Sequence, residues 1–304
     1  MMIKIHKLDT YTWVEAISPT EDELNKITTD YQAPAKFKGY MLDRHEQPRA
    51  TFDDLSGFSA LVVRAIADPK QSRMLTSPIF LGFSNSLLIT VCHAAEQAKL
   101  VSERSALNYQ NVAEHILAIL FALISPYFDK LDEISQKAEK LEGMHNRAIS
   151  NRSLDELAAL KTSLVYLRSA TAGNLIALQE LQSTIKDNLQ MSPELTSKAN
   201  EEIDDLLIEY KQCQTMFDVV GDVVRETESA FGNILNNKLN QTMQFLTIWS
   251  LILAIPPIVS GFYGMNVKLP LAGRGEAWFY TIVLTMVMVL FMIVYIKKDR
   301  RFKK

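Results

Sequence analysis

Two uncharged apolar runs near the C-terminal end of the chain dominate its hydrophobic pattern. Residues 245–263 and 278–296 contain no Asp, Glu, Lys or Arg. Each run has about the 20 apolar residues that a helix needs to cross the hydrocarbon core of a bilayer. We therefore predict a first membrane helix over residues 243–263, a second over residues 278–296, and a short loop over residues 264–277 between them.

A regular apolar stripe precedes the first run. Ser192 is a good helix N-cap, Pro193 suits the first helical position, and the next proline is Pro256. This pattern predicts one helix from about residue 193 to Tyr263. Packing against other helices of the same chain and self-association of several copies both remain open as the role of the stripe. The stripe consists of Leu206, Tyr210, Cys213, Phe217, Val220 and Val224, and it resumes at Phe231 and Ile234.

The preceding residues predict an α+β domain that is followed by helices. We place a small α/β domain at residues 1–103, a helical hairpin at 104–191 and a stalk helix at 192–242. The apolar stretch 116–124 is too short to span a bilayer and predicts a buried helix that Pro126 kinks or breaks. Ser153 and Glu156 form a candidate capping box for the second helix of the hairpin. The strand candidates are residues 3–5, 11–16, 60–67, 78–83 and 86–91.

Charge and motif content narrow the function. Residues 1–242 hold 24 basic and 33 acidic side chains, which argues against nucleic acid as a partner. Cys92 and Cys213 are isolated and are expected to pack in the interior. The five histidines are scattered, and the sequence lacks a Walker A loop, a GxSxG motif and a CxxC motif, so we expect no enzyme. The tail 297–304 has six basic residues and one acid, so the positive-inside rule places both termini in the cytoplasm.

The first run closes on Tyr263, Gly264, Met265 and Asn266, directly before the short loop. This ending resembles the Gly-Met-Asn signature of the CorA family of divalent-cation channels. Asn240, the Pro256-Pro257 pair, Gly261, the two terminal spans and the basic tail also fit the layout of that family. The resemblance implies a funnel-shaped homopentamer in the lipid of the inner cell membrane, in which the long helix forms the stalk and then the pore.

A selectivity filter at residues 263–266 is what this resemblance implies. Mg²⁺ releases its water reluctantly, so a filter for it can hydrogen-bond the hydrated ion. A ring of Asn266 carboxamides, together with Gly264 carbonyls, offers neutral acceptors, while Met265 and Tyr263 complete the motif. The alternative is that Gly264 and Asn266 only terminate a helix.

Steps of three and four along the first span define a candidate pore face. Its outer part is small in volume, which suits either a lumen or close helix packing. By resemblance, Met243 and Leu246 match the family's hydrophobic constriction, and Asn240 matches its polar ring at the cytoplasmic mouth. The alternatives are an exposed stalk residue for Asn240 and lipid contact for the other two. The face consists of Asn240, Met243, Leu246, Ser250, Ala254, Pro257 and Gly261.

Regulation by cytoplasmic Mg²⁺ is a further implication of the resemblance. In this family Mg²⁺ bridges acidic side chains of neighbouring cytoplasmic domains and holds the channel closed. Alignment from the motif points to Asp205, beside Asp204, with Asp68 of a neighbouring copy as its partner. The alternative is that the acidic residues form a solvated helix face.

The function we expect is passive uptake of hydrated Mg²⁺, driven by the membrane potential and closed by internal Mg²⁺, with Co²⁺ and Ni²⁺ as further ions. One alternative is a ZntB-like transporter of Zn²⁺, Co²⁺ or Ni²⁺, whose members usually have Ile where Met265 stands. The other is a non-conducting, membrane-anchored coiled-coil scaffold. The loop departs from many relatives, because Glu276 is its one acid beside Lys268 and Arg274.

Overall fold

The computed structural model describes residues 2–67, 75–104, 109–144, 149–188, 193–265 and 275–298. The chain divides into two compact units, Met1–Ala230 and Phe231–Lys304, and each is described by itself.

The described residues form six strands and seven helices. The strands are β1 (Met2–Lys7), β2 (Thr12–Ile17), β3 (Arg49–Asp53), β4 (Phe58–Ile66), β5 (Thr76–Ser84) and β6 (Leu87–Cys92). The helices are α1 (Glu21–Asp30), α2 (Phe37–Leu42), α3 (Ala95–Arg104), α4 (Val112–Glu142), α5 (Asn151–Asn188), α6 (Pro193–Tyr263) and α7 (Ala277–Lys298).

A mixed sheet with the strand order β1-β2-β6-β5-β4-β3 organises the first unit. Strands β2 and β6 run parallel, and all other neighbours are antiparallel. Side chains alternate across a strand, so successive residues enter different cores. Trp13 of β2 packs in the core that α3, α4, α5 and α6 cover, whereas Val14 packs with Leu24 of α1 and Phe37 of α2. The domain is therefore a sheet with helices on both faces.

The predicted strands are confirmed at residues 3–5, 11–16, 60–67, 78–83 and 86–91, each within one or two residues of the observed bounds. Strand β3 was not predicted, because its sequence, RATFD, has a charged residue at each end and no apolar run. All five of its residues are only partly buried. The domain boundaries proposed from the sequence stay predictions.

Helix α4 confirms the prediction of a buried helix over residues 116–124. Ile116, Leu120 and Leu123 are buried in the core beneath the sheet. Pro126 does not break this helix, which continues to Glu142. A proline removes one hydrogen bond from a helix interior, and the buried apolar contacts on both sides of it hold the two halves in one helix.

Within the part of the chain that the structure describes, three helices are long and apolar enough to cross a membrane. They are α4, α6 over Lys198–Tyr263, and α7 over Trp278–Ile296. The most apolar window of α4 is 61% buried inside its unit, whereas the windows of α6 and α7 are 6% and 0% buried. A helix whose apolar surface is already covered by protein has little left for lipid, so the two predicted spans remain the candidates.

The start of α5 corrects the predicted capping box. The helix begins at Asn151, so Ser153 already lies inside its first turn. The backbone N–H of Ser153 donates to Oγ of Ser150 at 3.2 Å, and the backbone N–H of Leu154 donates to the Ser150 carbonyl. Ser150 is thus the capping residue, and Glu156 pairs with Arg152 instead.

Cross-helix contacts fix the directions of the three long helices in the first unit. Between α5 and α6, Lys161 pairs with Glu228 and Arg168 pairs with Asp218, so residue numbers rise on one helix as they fall on the other. These helices are antiparallel. Between α4 and α6, Glu114 lies near Lys198, and Tyr127 lies further along both helices in contact with Tyr210. These two helices are parallel.

The predicted stripe of α6 is buried within its own chain. Leu206, Tyr210, Cys213 and Phe217 have no exposed surface, and Val224 is 1% exposed. The open question about the stripe is therefore answered for this part of α6, since its apolar side chains pack inside the first unit and are not available to another copy.

Both cysteines are packing residues, as expected. Cys92 and Cys213 are buried and free. Burial, which disfavours the thiolate, raises the pKa of each thiol to about 12.

Candidate functional site

One face of α6 in the second unit is covered by α7. The α6 side chains that lose exposure recur at spacings of three and four, and Val259 among them is only 5% exposed. A matching row of partly covered side chains follows α7. Because α6 and α7 are the described helices of this unit, the two rows face each other. The α6 row is Ile248, Ile252, Ile255, Val259 and Tyr263, and the α7 row is Thr281, Thr285, Val289, Met292 and Ile296.

The predicted pore face lies on the opposite side of α6. Met243 is 56% exposed and Leu246 is 60% exposed, and Ser250, Pro257 and Gly261 are exposed as well. At 100° per residue, this face points roughly 170° away from the row that α7 covers. Thus α6 presents its smallest outer residues where α7 leaves it open.

The hydroxyl groups on or near this face bond to their own helix. Oγ1 of Thr247 donates to the Met243 carbonyl at 2.8 Å, and Oγ of Ser250 donates to the Leu246 carbonyl at 2.9 Å. These bonds turn the hydroxyls toward the backbone and keep the side chains compact. No residue between Met243 and Gly261 is charged.

Ala254 lies at the border of this face. It is half-buried and lines an apolar groove of about 460 Å³ between α6 and α7. The groove follows the flank between the open face and the face under α7. It is lined by Leu251, Ala254, Ile255 and Ile258 from α6, and by Val287, Met288, Phe291 and Met292 from α7.

The predicted filter begins at the end of α6. Tyr263 is the last helical residue, the N–H of Gly264 donates to the Ser260 carbonyl at 2.9 Å, and Met265 is 53% exposed. A Cβ added to Gly264 would lie 3.4 Å from the Ser260 oxygen, which is an ordinary van der Waals contact. Asn266 lies outside the described residues, and its role stays a prediction.

At the other end of the open face, α6 carries a row of carboxamides. Asn240 is exposed, and so are Asn233, Asn236 and Asn237. Lys238 is the one charged residue between residues 231 and 263. Sequence reasoning selected Asn240 alone.

The predicted regulatory residues are only partly described. Asp204 and Asp205 are exposed on α6, and Oδ1 of Asp204 accepts a hydrogen bond from Nε2 of Gln182 at 2.9 Å. Asp68 lies outside the described residues. Within the described ranges, no group of three or more His, Cys, Asp or Glu side chains is arranged to hold a metal ion.

Similarity to known proteins covers both units. The sequence profile of the family described as CorA-like Mg²⁺ transporter protein matches residues 9–298. The cobalt/magnesium transport protein CorA of Methanocaldococcus jannaschii is 24% identical over 292 residues, which cover 93% of this chain and 89% of that protein.

Solved structures share the fold. The complete structure of the M. jannaschii CorA magnesium transporter aligns with a TM-score of 0.78 at 21% identity, covering 95% of this chain and 91% of that one. Full-length CmaX aligns with a TM-score of 0.73 at 14% identity over 96% and 90% of the two chains. The ZntB cytoplasmic domain from Vibrio parahaemolyticus aligns with a TM-score of 0.54 at 13% identity over 73% and 89%.

The match over residues 9–298, together with two exposed apolar helices at the C-terminal end, identifies the kind of protein. The chain belongs to the CorA-like family of Mg²⁺ and divalent-cation transporters, which are membrane proteins and not enzymes.

Proposed function

We propose that five copies of this chain surround a path for hydrated Mg²⁺, with the open face of α6 inside and α7 outside. The observation that carries this proposal is the division of α6 into two faces. Val259 and the other side chains of its row lie under α7, whereas the small residues Ser250, Pro257 and Gly261 are exposed. A polar path through a bilayer must be enclosed by protein, and several copies of one helix can enclose it.

The filter of this path is the ring that Asn266 and the carbonyl of Gly264 form at the outer end of α6. A carboxamide accepts hydrogen bonds from the water shell of Mg²⁺ and carries no fixed charge that would hold the ion. The position of Gly264 at the end of α6 supports this arrangement, because the next residues leave the helix where the path would open.

The membrane potential supplies the driving force. We place the protein in the inner cell membrane, with both termini in the cytoplasm and the loop between α6 and α7 outside. At 100 mV, inside negative, a divalent ion gains roughly 4.6 kcal/mol on crossing, which is twice the value for one charge. Uptake then needs no nucleotide.

The gate lies at Met243 and Leu246. Both side chains are large, apolar and more than half exposed at the inner end of the open face. Rings of such side chains close a path by excluding water. Internal Mg²⁺ closes this gate by bridging Asp204 and Asp205 of one copy with Asp68 of the next, because a bound cation removes the repulsion between carboxylates.

Neutralising one acid tests this closure. Asp205→Ala should raise the internal Mg²⁺ concentration that half-closes the channel, whereas Asp129→Ala should leave it unchanged, since Asp129 is an exposed acid on α4. An identical closure curve for Asp205→Ala and the wild type would remove Asp205 from the sensor.

The side chains of the open face favour particular ions. The described part of the open face offers no His or Cys ligand, and hard, hydrated ions do not require one. We therefore place Mg²⁺ first and expect Co²⁺ and Ni²⁺ to compete with it. Stronger competition by Zn²⁺ than by Co²⁺ or Ni²⁺ would instead favour a ZntB-like transporter.

Flux in liposomes tests the proposal. The full chain is reconstituted with an internal Mg²⁺ dye, and a K⁺ diffusion potential is imposed. We expect dye-reported uptake in the wild type, loss of most uptake in Asn266→Ala, and normal uptake in Asn237→Ala. An absence of uptake in the wild type, or equal uptake in Asn266→Ala, would favour a non-conducting scaffold.

A further inference from the structure

Two adjacent prolines interrupt the backbone hydrogen bonds of α6 in the middle of its apolar segment. Pro256 and Pro257 both lie inside the helix, which continues to Tyr263. A proline has no backbone N–H, so it leaves the carbonyl four residues earlier without its helical donor. The carbonyls affected are those of Ile252 and Leu253. Each is a strong acceptor at a depth where the hydrocarbon of a bilayer offers no donor.

Hydroxyl groups near the two prolines are bonded to other carbonyls. Oγ of Ser260 donates to the Pro257 carbonyl at 3.2 Å. On α7, Oγ1 of Thr285 donates to the Thr281 carbonyl at 2.8 Å. A hydroxyl has one hydrogen to donate, so these two side chains do not serve the carbonyls that the prolines release.

The two released carbonyls lie on different sides of α6. A helical hydrogen bond runs along the helix axis, so each carbonyl lies below the proline that cannot bond to it. Pro257 belongs to the open face, and the Leu253 carbonyl therefore lies on that face. Pro256 is 100° away around the helix, toward the row that α7 covers, and so is the Ile252 carbonyl. The side chain of Leu253 is 64% exposed, so α7 does not cover this part of α6.

A carbonyl without a donor destabilises a dry membrane segment. A buried acceptor that lacks its partner costs about 1–3 kcal/mol in a protein interior, and more in hydrocarbon. Prolines inside membrane helices are tolerated where another helix, a side chain or ordered water bonds to the released backbone groups. The Leu253 carbonyl lies on the side away from α7, so water in the ion path is the donor that the proposed arrangement supplies.

We propose that the Leu253 carbonyls of the assembled copies form an intermediate binding site for the hydrated divalent cation, inside the membrane segment. This inference rests on the proposed function, because several copies must bring these carbonyls around one axis. Each oxygen accepts a hydrogen bond from the water shell of the ion. A backbone carbonyl carries no net charge, so the ion binds weakly and moves on, as conduction requires.

The position of this site along α6 separates it from the proposed filter and gate. At 1.5 Å per residue, Leu253 is about 15 Å from Tyr263 at the outer end of the helix and about 10 Å from Leu246 at the gate. The carbonyls thus offer the ion acceptors about midway through the apolar segment, where the side chains around them are mostly apolar.

The prolines could instead act only by bending α6, since a proline is the usual cause of a helix kink. A bend depends on the hydrogen bonds that both prolines remove. The binding site depends on the Leu253 carbonyl alone. The two roles therefore predict different results when the prolines are replaced one at a time.

Substitutions that restore one N–H distinguish the two roles. Pro257→Ala gives the Leu253 carbonyl its helical donor, and Pro256→Ala is the matched control that does the same for Ile252. Pro257→Ser restores the same N–H as Pro257→Ala but adds a hydroxyl oxygen to the open face. Mg²⁺ uptake would be measured in liposomes that contain the full chain, under an imposed K⁺ diffusion potential. Pro257→Gly replaces Pro257→Ala if that variant does not elute at the wild-type size.

We expect Pro257→Ala to lower Mg²⁺ uptake about tenfold, which corresponds to about 1.4 kcal/mol. Pro256→Ala should stay within about twofold of the wild type, because its carbonyl does not face the path. Pro257→Ser should recover to within about threefold of the wild type, since a hydroxyl oxygen also accepts hydrogen bonds from water.

External block shows whether the filter stays intact in these variants. Hexaamminecobalt(III) is a suitable blocker, because its ligands do not exchange and it binds only through hydrogen bonds from its shell. Its half-blocking concentration for the remaining uptake should be the same in Pro257→Ala as in the wild type, because it binds outside this site. A general distortion of α6 would change both the uptake and the block.

Unchanged uptake in Pro257→Ala, with normal uptake in the wild type, would overturn this site and leave the proposed function intact. Equal losses in the two alanine variants, without recovery in Pro257→Ser, would assign the prolines to bending and would also overturn it. An absence of Mg²⁺ uptake in the wild type would overturn the proposed function, and this site with it.

Discussion

The carboxamide of Asn174 on α5 bonds to both backbone polar groups of Arg64 on β4. Oδ1 accepts from the Arg64 N–H at 2.8 Å, and Nδ2 donates to the Arg64 carbonyl at 2.8 Å. Strand β3 begins at Arg49, which pairs with Val62 of β4. Arg64 lies two residues beyond Val62, so β3 offers it no partner. The side chain of Asn174 thus replaces the missing strand partner and anchors α5 to the edge of the sheet.

Asn174→Ala should lower the free energy of unfolding by about 2–3 kcal/mol, because it leaves a partly buried N–H without an acceptor. Urea unfolding of the detergent-solubilised full chain measures this. Gln182→Ala is the control, since it removes one exposed hydrogen bond to Asp204 and should cost less than about 1 kcal/mol. Equal stability of the two variants would contradict the anchoring role of Asn174.

Gly173 on α5 lets the chain before β3 approach closely. A Cβ at this position would lie 2.9 Å from Cγ of Pro48, whose ring cannot move away without its backbone. Gly173→Ala should therefore lower the melting temperature, although alanine is the better helix former. At Gly221, a Cβ would meet Nη1 of Arg168 at an ordinary 3.6 Å, so Gly221→Ala should stabilise the helix by up to about 1 kcal/mol. Stabilisation by both substitutions would contradict the close contact with Pro48.

Acidification should destabilise the first unit through His115. Burial, with a smaller effect of His6, lowers the pKa of the His115 imidazole to about 4. The unfolded chain binds a proton near pH 6.5. As the pH falls from about 6.5 to 4, this imidazole binds a proton in the unfolded state but not in the folded state. The free energy of unfolding therefore falls by about 2–3 kcal/mol.

The control for this prediction is His115→Gln, which cannot titrate. Nδ1 of His115 lies 2.8 Å from Oη of Tyr11, and a glutamine can keep a polar partner near that hydroxyl. We expect the variant to be less stable than the wild type at pH 7. Its free energy of unfolding should change less between pH 6.5 and 4. A parallel loss of stability in both proteins would assign the acid sensitivity to other groups.

The longest elements of the fold could be predicted from the sequence because their hydrophobic patterns extend over many residues. The N-terminal proline and the stripe from Leu206 defined α6, and it ends at Tyr263 as predicted. Strands that are buried on both faces, such as β6, read as short apolar runs. Strand β3 was missed because it is short and has no clear apolar pattern. The Ser150 cap was missed because Ser153, three residues later, is an equally good capping residue by sequence.

The two faces of α6 inside the membrane segment could be predicted only in part. Almost every residue from 245 to 263 is apolar, so periodicity does not reveal which side α7 covers. The small size of Ser250 and Gly261 suggested that they lie on the open face. Nothing in the sequence distinguished Val259 from Ile258. The structure makes this distinction, since Val259 is 5% exposed and Ile258 is 62% exposed.

Cysteine accessibility tests the central claim, that the open face of α6 lines the ion path, most directly. A hydrophilic methanethiosulfonate reagent would be added to Ser250→Cys and Gly261→Cys, and to Ile252→Cys and Val259→Cys as controls from the covered face. Cys92 and Cys213 are buried, and their raised pKa values keep them unreactive. A side chain at Gly261 meets open space, so that variant should fold normally.

We expect the reagent to block Mg²⁺ uptake in the Ser250 and Gly261 variants and to leave the Ile252 and Val259 variants unchanged. Block confined to the Ile252 and Val259 variants, or uptake that is insensitive in all four, would contradict the account.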